Sequence, residues 1–151
     1  MNSLLILSVL LLLGLNGFGQ NFDYGGTYSY GTTPDSGSTG LIYIYPNSDS
    51  TNLFYLELNR GYPSYNSGEI VGQMNIYNLG EAEFSITKRE YIDCSMNFWF
   101  TNDSLYIRTN DQPENCGYGV HSHGNFKLKD SKTPKFYYDR TGEKIYFNNL
   151  K

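Results

Sequence analysis

The chain has 151 residues and a formal net charge of −4, with 17% of residues charged and 17% aromatic, including fifteen tyrosines. A mildly acidic chain is a poor match for nucleic acid, which proteins hold by neutralising phosphates, so no nucleic-acid partner is expected. Long aliphatic helix formers are sparse, while Tyr, Phe, Ile and Thr, which suit a pleated surface, are frequent; the composition argues for an all-β protein.

The N-terminus carries an apolar run from Leu4 to Leu13 broken only by Ser8. Its length suits the h-region of a signal peptide and falls short of a membrane span. Small residues follow, and cleavage after Gly19 fits the small-residue rule, with Gln20 as the neighbouring alternative. Residues 1–19 are therefore expected to be a signal peptide, and residues 20–151 a single β domain of about 130 residues, enough for one hydrophobic core. The expected location is the periplasm or the extracellular space, with no membrane span once the signal is removed.

From there the period is two nearly everywhere. Thr27–Tyr30 is a short strand, and Gly40–Tyr45 ends at Pro46. In Asn52–Asn59, Phe54, Leu56 and Leu58 share one face while Tyr55 and Glu57 share the other. Glu69–Asn78 and Glu81–Thr87 follow. Ile92–Phe100 alternates most clearly, with Ile92, Cys94, Met96, Phe98 and Phe100 on one face and Asp93, Ser95, Asn97 and Trp99 on the other. Ser104–Thr109, Asn125–Lys129, Lys135–Tyr138 and Lys144–Phe147 complete the set. Turn signals such as Asn78-Leu-Gly and Asp139-Arg-Thr-Gly separate them. About eight or nine antiparallel strands that close on themselves leave no exposed edge, so a small antiparallel β-barrel is expected, with a β-sandwich as the alternative.

Several places carry residue types capable of chemistry. Cys94 and Cys116 would be oxidised in an exporting compartment, and a disulfide between them would add roughly 3 kcal/mol by the chain-entropy model; a buried pair of free thiols is the alternative. His121 and His123 would share a face of an extended segment, yet no third ligand stands nearby, so no metal site and no cofactor are expected. Serines lack a nucleophile elbow, and Glu57, Glu69, Glu83 and Asp93 fall on the polar phase of their strands. With no catalytic constellation found, no enzymatic activity is expected, and a hydrolase would require carboxylates or a histidine converging in a cleft. The segment Asn59-Arg-Gly-Tyr-Pro-Ser-Tyr-Asn-Ser-Gly68 joins two strands and gathers Arg60, Tyr62, Tyr65 and Asn66. Tyr and Arg anchor interfaces because they bury much area with few rotatable bonds and still offer hydrogen bonds. These four are the candidate binding residues; the alternative is a loop whose tyrosines lie back over the barrel mouth. Tyr43, Tyr45 and Trp99 fall on the outward phase, either as an apolar outer patch or beneath a loop.

Pro63-Ser-Tyr-Asn-Ser-Gly68, Cys94 in its alternating strand, and Cys116-Gly-Tyr-Gly-Val120 with His123-Gly-Asn-Phe126 together resemble a group of small exported bacterial proteins over Gly40 to Leu128. That resemblance implies an exported, β-barrel-like domain. The architecture is also similar to the small periplasmic lysozyme inhibitors, disulfide-stapled β-barrels that insert a loop into the lysozyme cleft. Ser64-Tyr-Asn-Ser-Gly68 has the residue types of their Ser-Gly-x-x-Tyr loop signature in a different order. The functional expectation is an exported binding protein whose partner is a protein or glycan outside the cytoplasm, possessing the character of a lysozyme inhibitor. The alternatives are a carrier of a small apolar ligand inside the barrel and a structural envelope protein.

Overall fold

A computed structural model describes residues 23–31, 37–48, 50–88, 91–109, 120 and 123–150, without the side chains of 87, 88 and 91–93. The expected signal peptide, Cys116 and His121 lie outside the described residues. Eight strands form a closed antiparallel barrel in chain order: β1 Gly26–Tyr30, β2 Ser38–Ser48, β3 Thr51–Arg60, β4 Ser67–Asn78, β5 Glu81–Lys88, β6 Tyr91–Phe100, β7 Ser104–Thr109 and β8 Gly124–Asp130. The chain then adds a separate two-stranded sheet, β9 Phe136–Tyr138 and β10 Lys144–Tyr146, and ends its described part in a 3-10 turn, Phe147–Leu150. No described helix is long and apolar enough to cross a membrane.

Closure is made by β1, which pairs with β2 from Gly26 opposite Ile44 to Tyr30 opposite Gly40, and with β8 at Thr27, Tyr28 and Ser29. A bulge between Thr27 and Tyr28 provides the bend that joining the two ends of the sheet requires. β2 extends past the predicted end at Tyr45 to Ser48, with Pro46 opposite Asn52. Proline is tolerated there because β1's register ends at Ile44, so one flank of Pro46 has no ladder to join.

The alternation turns one set of side chains inward. Ile42, Ile44, Phe54, Leu56, Leu58, Met74, Met96, Phe98, Leu105, Ile107 and Phe126 are all buried in one cluster. At the end of the barrel nearer the N-terminus, the Tyr24 ring stacks on Phe100 at 4.5 Å, and the Tyr24 hydroxyl accepts a hydrogen bond from the Gly80 backbone N–H. Tyr28 also lies against Phe100, and burial raises its hydroxyl pKa to about 12, with Asp23 and Tyr24 adding to the shift. Rings fill the interior so tightly that two strand positions must be glycine. A Cβ on Gly72 would stand 2.3 Å from the Phe84 ring, and one on Gly40 would stand 2.4 Å from Tyr30 and 2.7 Å from Phe126.

β3 is buried on both faces, unlike its neighbours. Its outward residues Leu53 and Tyr55 form a second cluster with Tyr137 and Phe147, flanked by Tyr43, Tyr45 and Ile145. The predicted strands Lys135–Tyr138 and Lys144–Phe147 are extended over Phe136–Tyr138 and Lys144–Tyr146, with Phe147 opening the 3-10 turn, but they do not join the barrel wall. They fold into a hairpin laid over the outside of β2 and β3. Tyr137 stacks on Tyr55 at 4.1 Å, and Phe147 on Tyr45 at 5.4 Å. The outward tyrosines therefore lie under a covering element, one of the two alternatives posed by the sequence. Trp99 is half-buried, its ring 5.7 Å from that of Tyr106 on β7.

One polar side chain breaks the interior pattern. Asn52 shares the inward phase of Phe54, is only 2% exposed, and its amide nitrogen has no hydrogen-bond partner in the protein. Such a group costs about 1–3 kcal/mol of desolvation. Asn52→Leu, which keeps the branching of the side chain while removing the unpaired amide, should raise stability by about 1 kcal/mol, seen as a higher urea midpoint at unchanged slope. Phe147→Ala should cost about 3 kcal/mol in the same assay, because it opens a cavity beneath the hairpin.

Candidate functional site

The loop between β3 and β4 is held by its own backbone. The Arg60 N–H donates to the Asn66 carbonyl at 2.7 Å, closing the mouth of the loop, and the Tyr65 N–H donates to the Gly61 carbonyl at 3.1 Å. The Gly61 N–H reaches across to the Gly37 carbonyl at 2.9 Å, tying the loop to the start of β2. The Tyr62–Pro63 peptide is cis, and Tyr65 sits in the left-handed region at φ 46°. A non-glycine residue there is uncommon and costs about 1 kcal/mol or more.

The loop turns its rings to solvent. Tyr62 is 76% exposed and Tyr65 62%, and the two meet edge to face at 6.4 Å. Neither lies back over the barrel mouth. Arg60 is exposed and Asn66 half-buried beside them. All four residues singled out in the sequence thus belong to one hydrogen-bonded loop. Large aromatic surface held outside the core by a fixed backbone is suited to contact with another molecule, since the ordering cost is already met.

The C-terminal hairpin brings a further residue to the base of this loop. Arg140 Nη2 donates to the Ser67 Oγ at 2.8 Å, and the Arg140 backbone N–H donates to Glu69 Oε2 at 3.3 Å. Sequence reasoning missed Arg140, which lies 73 positions from Ser67. Its only signal was the turn Asp139-Arg-Thr-Gly, which names no neighbour. Asp139 organises that turn: its Oδ1 accepts from the Thr141 N–H, the Thr141 hydroxyl and the Glu143 N–H at 2.7 to 2.9 Å. These bonds, the Thr141 hydroxyl foremost, hold its carboxyl below the ordinary value.

The carboxylates weighed for hydrolysis are committed elsewhere. Glu57 and Glu69 stand opposite each other on β3 and β4, on the outer wall. Glu57 Oε1 accepts from the Asn59 amide at 3.0 Å, while Glu69 Oε2 accepts from the Tyr55 hydroxyl at 3.1 Å as well as from Arg140. Burial, followed by the charges of Glu57 and Glu69, pushes the Tyr55 hydroxyl well above the usual phenol range. The two carboxylates thereby anchor side chains along β3 and tie down the hairpin. Glu83 is exposed on β5, and the side chain of Asp93 lies outside the described residues. His123 is exposed at the start of β8, and among the described residues no group of three or more His, Cys, Asp or Glu could hold a metal ion. Cys94 is buried on the inner face of β6, in phase with Met96 and Phe98.

Comparisons with protein-family models, with curated proteins and with solved structures found no match.

Tyr65→Gly removes the left-handed penalty together with the ring. It should leave stability unchanged or raise it by up to about 1 kcal/mol in urea unfolding. Asp139 has a depressed folded-state pKa, so its contribution is complete above its unfolded-state value and lost as pH falls through the folded one. The Thr141 and Glu143 amide resonances should therefore move together in acid, below the pH at which a free aspartate titrates, and Asp139→Asn should abolish that shared transition.

Proposed function

We propose that this is an exported, non-catalytic binding protein that contacts a protein or glycan outside the cytoplasm through the Arg60–Asn66 loop, in the manner of a lysozyme inhibitor. The observation that carries the reading is the pair of solvent-facing rings, Tyr62 and Tyr65, on a loop fixed by three backbone hydrogen bonds. In this reading Tyr62 and Tyr65 supply area, Arg60 pairs with a carboxylate of the partner, and Asn66 keeps the loop mouth closed with its backbone carbonyl while its side chain offers polar contact. Residues 1–19 direct export. Cys94 and Cys116 form a disulfide that staples β6 to the connection preceding β8. Support for the staple comes from the core position of Cys94 and from the lack of any free cysteine among the described residues.

The carrier alternative is less well supported. The inward faces of the described strands are filled by Phe54, Phe84, Phe98, Phe100 and Phe126, packed against glycine at two positions. A small apolar ligand would have to displace rings that already touch one another: Phe54 meets Phe84 at 5.0 Å and Phe98 at 5.4 Å.

The test is inhibition of cell-wall lysis. Mature protein titrated into several lysozyme types should inhibit at least one of them in a dose-dependent way. A Tyr62→Ala/Tyr65→Ala variant with unchanged unfolding should lose inhibition by about a hundredfold, as expected for two aromatic anchors of about 1–2 kcal/mol each. Absence of inhibition across all types removes the lysozyme reading.

A further inference from the structure

The charge of this chain is unevenly distributed. Seven of its eleven basic residues but only three of its fifteen acidic ones lie in residues 127–151, so that stretch carries a net +4 against −8 for the rest. The stretch takes in the last four residues of β8, the crossing segment 131–135 and the hairpin. Where the crossing segment leaves the barrel, it borders a groove of about 360 Å³, at the lower end of the roughly 300–1,000 Å³ of small-molecule sites.

Thr27 and Tyr43, direct partners across β1 and β2, face this groove from the outer wall of the barrel. Thr133 and Lys132 line it from the crossing segment, and Lys135, Phe136 and Tyr138 line it on entry to β9. Both lysines are exposed. Asp130 also borders the groove, but its Oδ1 accepts the Lys132 backbone N–H at 2.9 Å and shapes the turn there. Beyond it, Lys127 and Lys129 are exposed on the outward phase of β8 and add to the positive potential. The outward face of the hairpin continues the aromatic lining. Phe136 lies 5.6 Å from Tyr138 and 5.7 Å from Tyr146, and Lys144 Nζ sits 3.8 Å above the Phe136 ring. Tyr138 is 56% exposed and Tyr146 44%.

We propose that this groove binds a short saccharide bearing a carboxylate, at a site separate from the Arg60–Asn66 loop. Ring faces match the C–H face of a pyranose, hydroxyls of Thr27, Thr133 and Tyr43 match its alcohols, and the Lys132 and Lys135 ammoniums match its acid. Charge decides the ligand's size. Outside residues 127–151 the chain carries a net −8, so a long polyanion that ran beyond the groove would meet predominantly acidic sequence, whereas a ligand the length of the groove would not. A purely apolar ligand would leave the lysines and threonines unanswered.

The experiment is calorimetric titration of the folded protein with a uronic-acid disaccharide, a neutral disaccharide of the same linkage, inorganic phosphate and a short glutamate peptide. The uronate should bind with a Kd below about 1 mM, and the neutral sugar at least about tenfold more weakly. Lys132→Glu/Lys135→Glu should weaken uronate binding by about tenfold or more, and Tyr138→Ala by about fivefold. The Tyr62→Ala/Tyr65→Ala variant should bind as wild type, which separates this site from the proposed contact loop. No uronate binding at 10 mM, or equal binding of the neutral sugar, overturns the proposal. So does uronate binding indifferent to the lysine pair, or phosphate or glutamate peptide bound as tightly as the uronate.

Discussion

Three residues of β1, Thr27, Tyr28 and Ser29, are paired on both flanks at once, to β2 on one side and β8 on the other. Without that double pairing the eight strands would be an open sheet with two bare edges, each a template for unwanted strand addition. The bulge between Thr27 and Tyr28 supplies the local twist, and Gly26, at φ 152° with no side chain to meet the Asp130 carbonyl, lets the two ends approach. Closure also fixes parity. Once Tyr28 points inward, Thr27 must point outward, and the same choice propagates strand by strand to Phe54, Phe98 and Phe126 inside and to Tyr55 and Tyr43 outside.

That parity explains why the molecule has two apolar clusters. The inner one fills the barrel, sealed at one end by Tyr24 and Phe100. The outer one exists because β2 and β3 carry aromatic residues on the wrong side for a simple barrel, and a hairpin covers them. The Tyr45 hydroxyl completes the fit by donating to Asn148 Oδ1 at 2.7 Å, and the Phe147 N–H donates to the Lys135 carbonyl at 3.1 Å. The hairpin thus contributes to both places where a ligand could meet the protein. Its turn supplies Arg140 to the base of the tyrosine loop, and β9 forms a wall of the basic groove.

Much of this was legible in the sequence because a two-residue period carries its own geometry. Phe54, Leu56 and Leu58, and Cys94, Met96, Phe98 and Phe100, fell on the inner face as their alternation requires. Turn residues marked the loop around Pro63 but left open whether Tyr62 and Tyr65 face solvent or lie back over the barrel mouth, because neither sits in an alternating run that would set its direction. What alternation cannot encode is the partner of a strand. Lys135–Tyr138 and Lys144–Phe147 have the right local pattern for the barrel wall, yet the eight earlier strands already close it, leaving those two only each other. Nor can it place residues far apart in sequence, such as Arg140 beside Ser67 or Thr27 beside Lys132 around one groove. Charge asymmetry was present in the composition but became informative only once Lys132 and Lys135 were seen to line one groove with Thr27, Tyr43 and Tyr138.

The hairpin's place after β8 in chain order has a consequence for biogenesis. During synthesis the eight barrel strands emerge before the element that covers β2 and β3. Through that interval Tyr43, Tyr45, Leu53 and Tyr55 form a greasy stripe on a barrel wall that is otherwise ready to fold. A nascent molecule halted there has nothing of its own to lay over the stripe and is open to capture by a holdase or by a sister chain. Docking of Tyr137 and Phe147 is what takes that stripe out of water, so the element encoded last is the one that completes the apolar burial of β2 and β3.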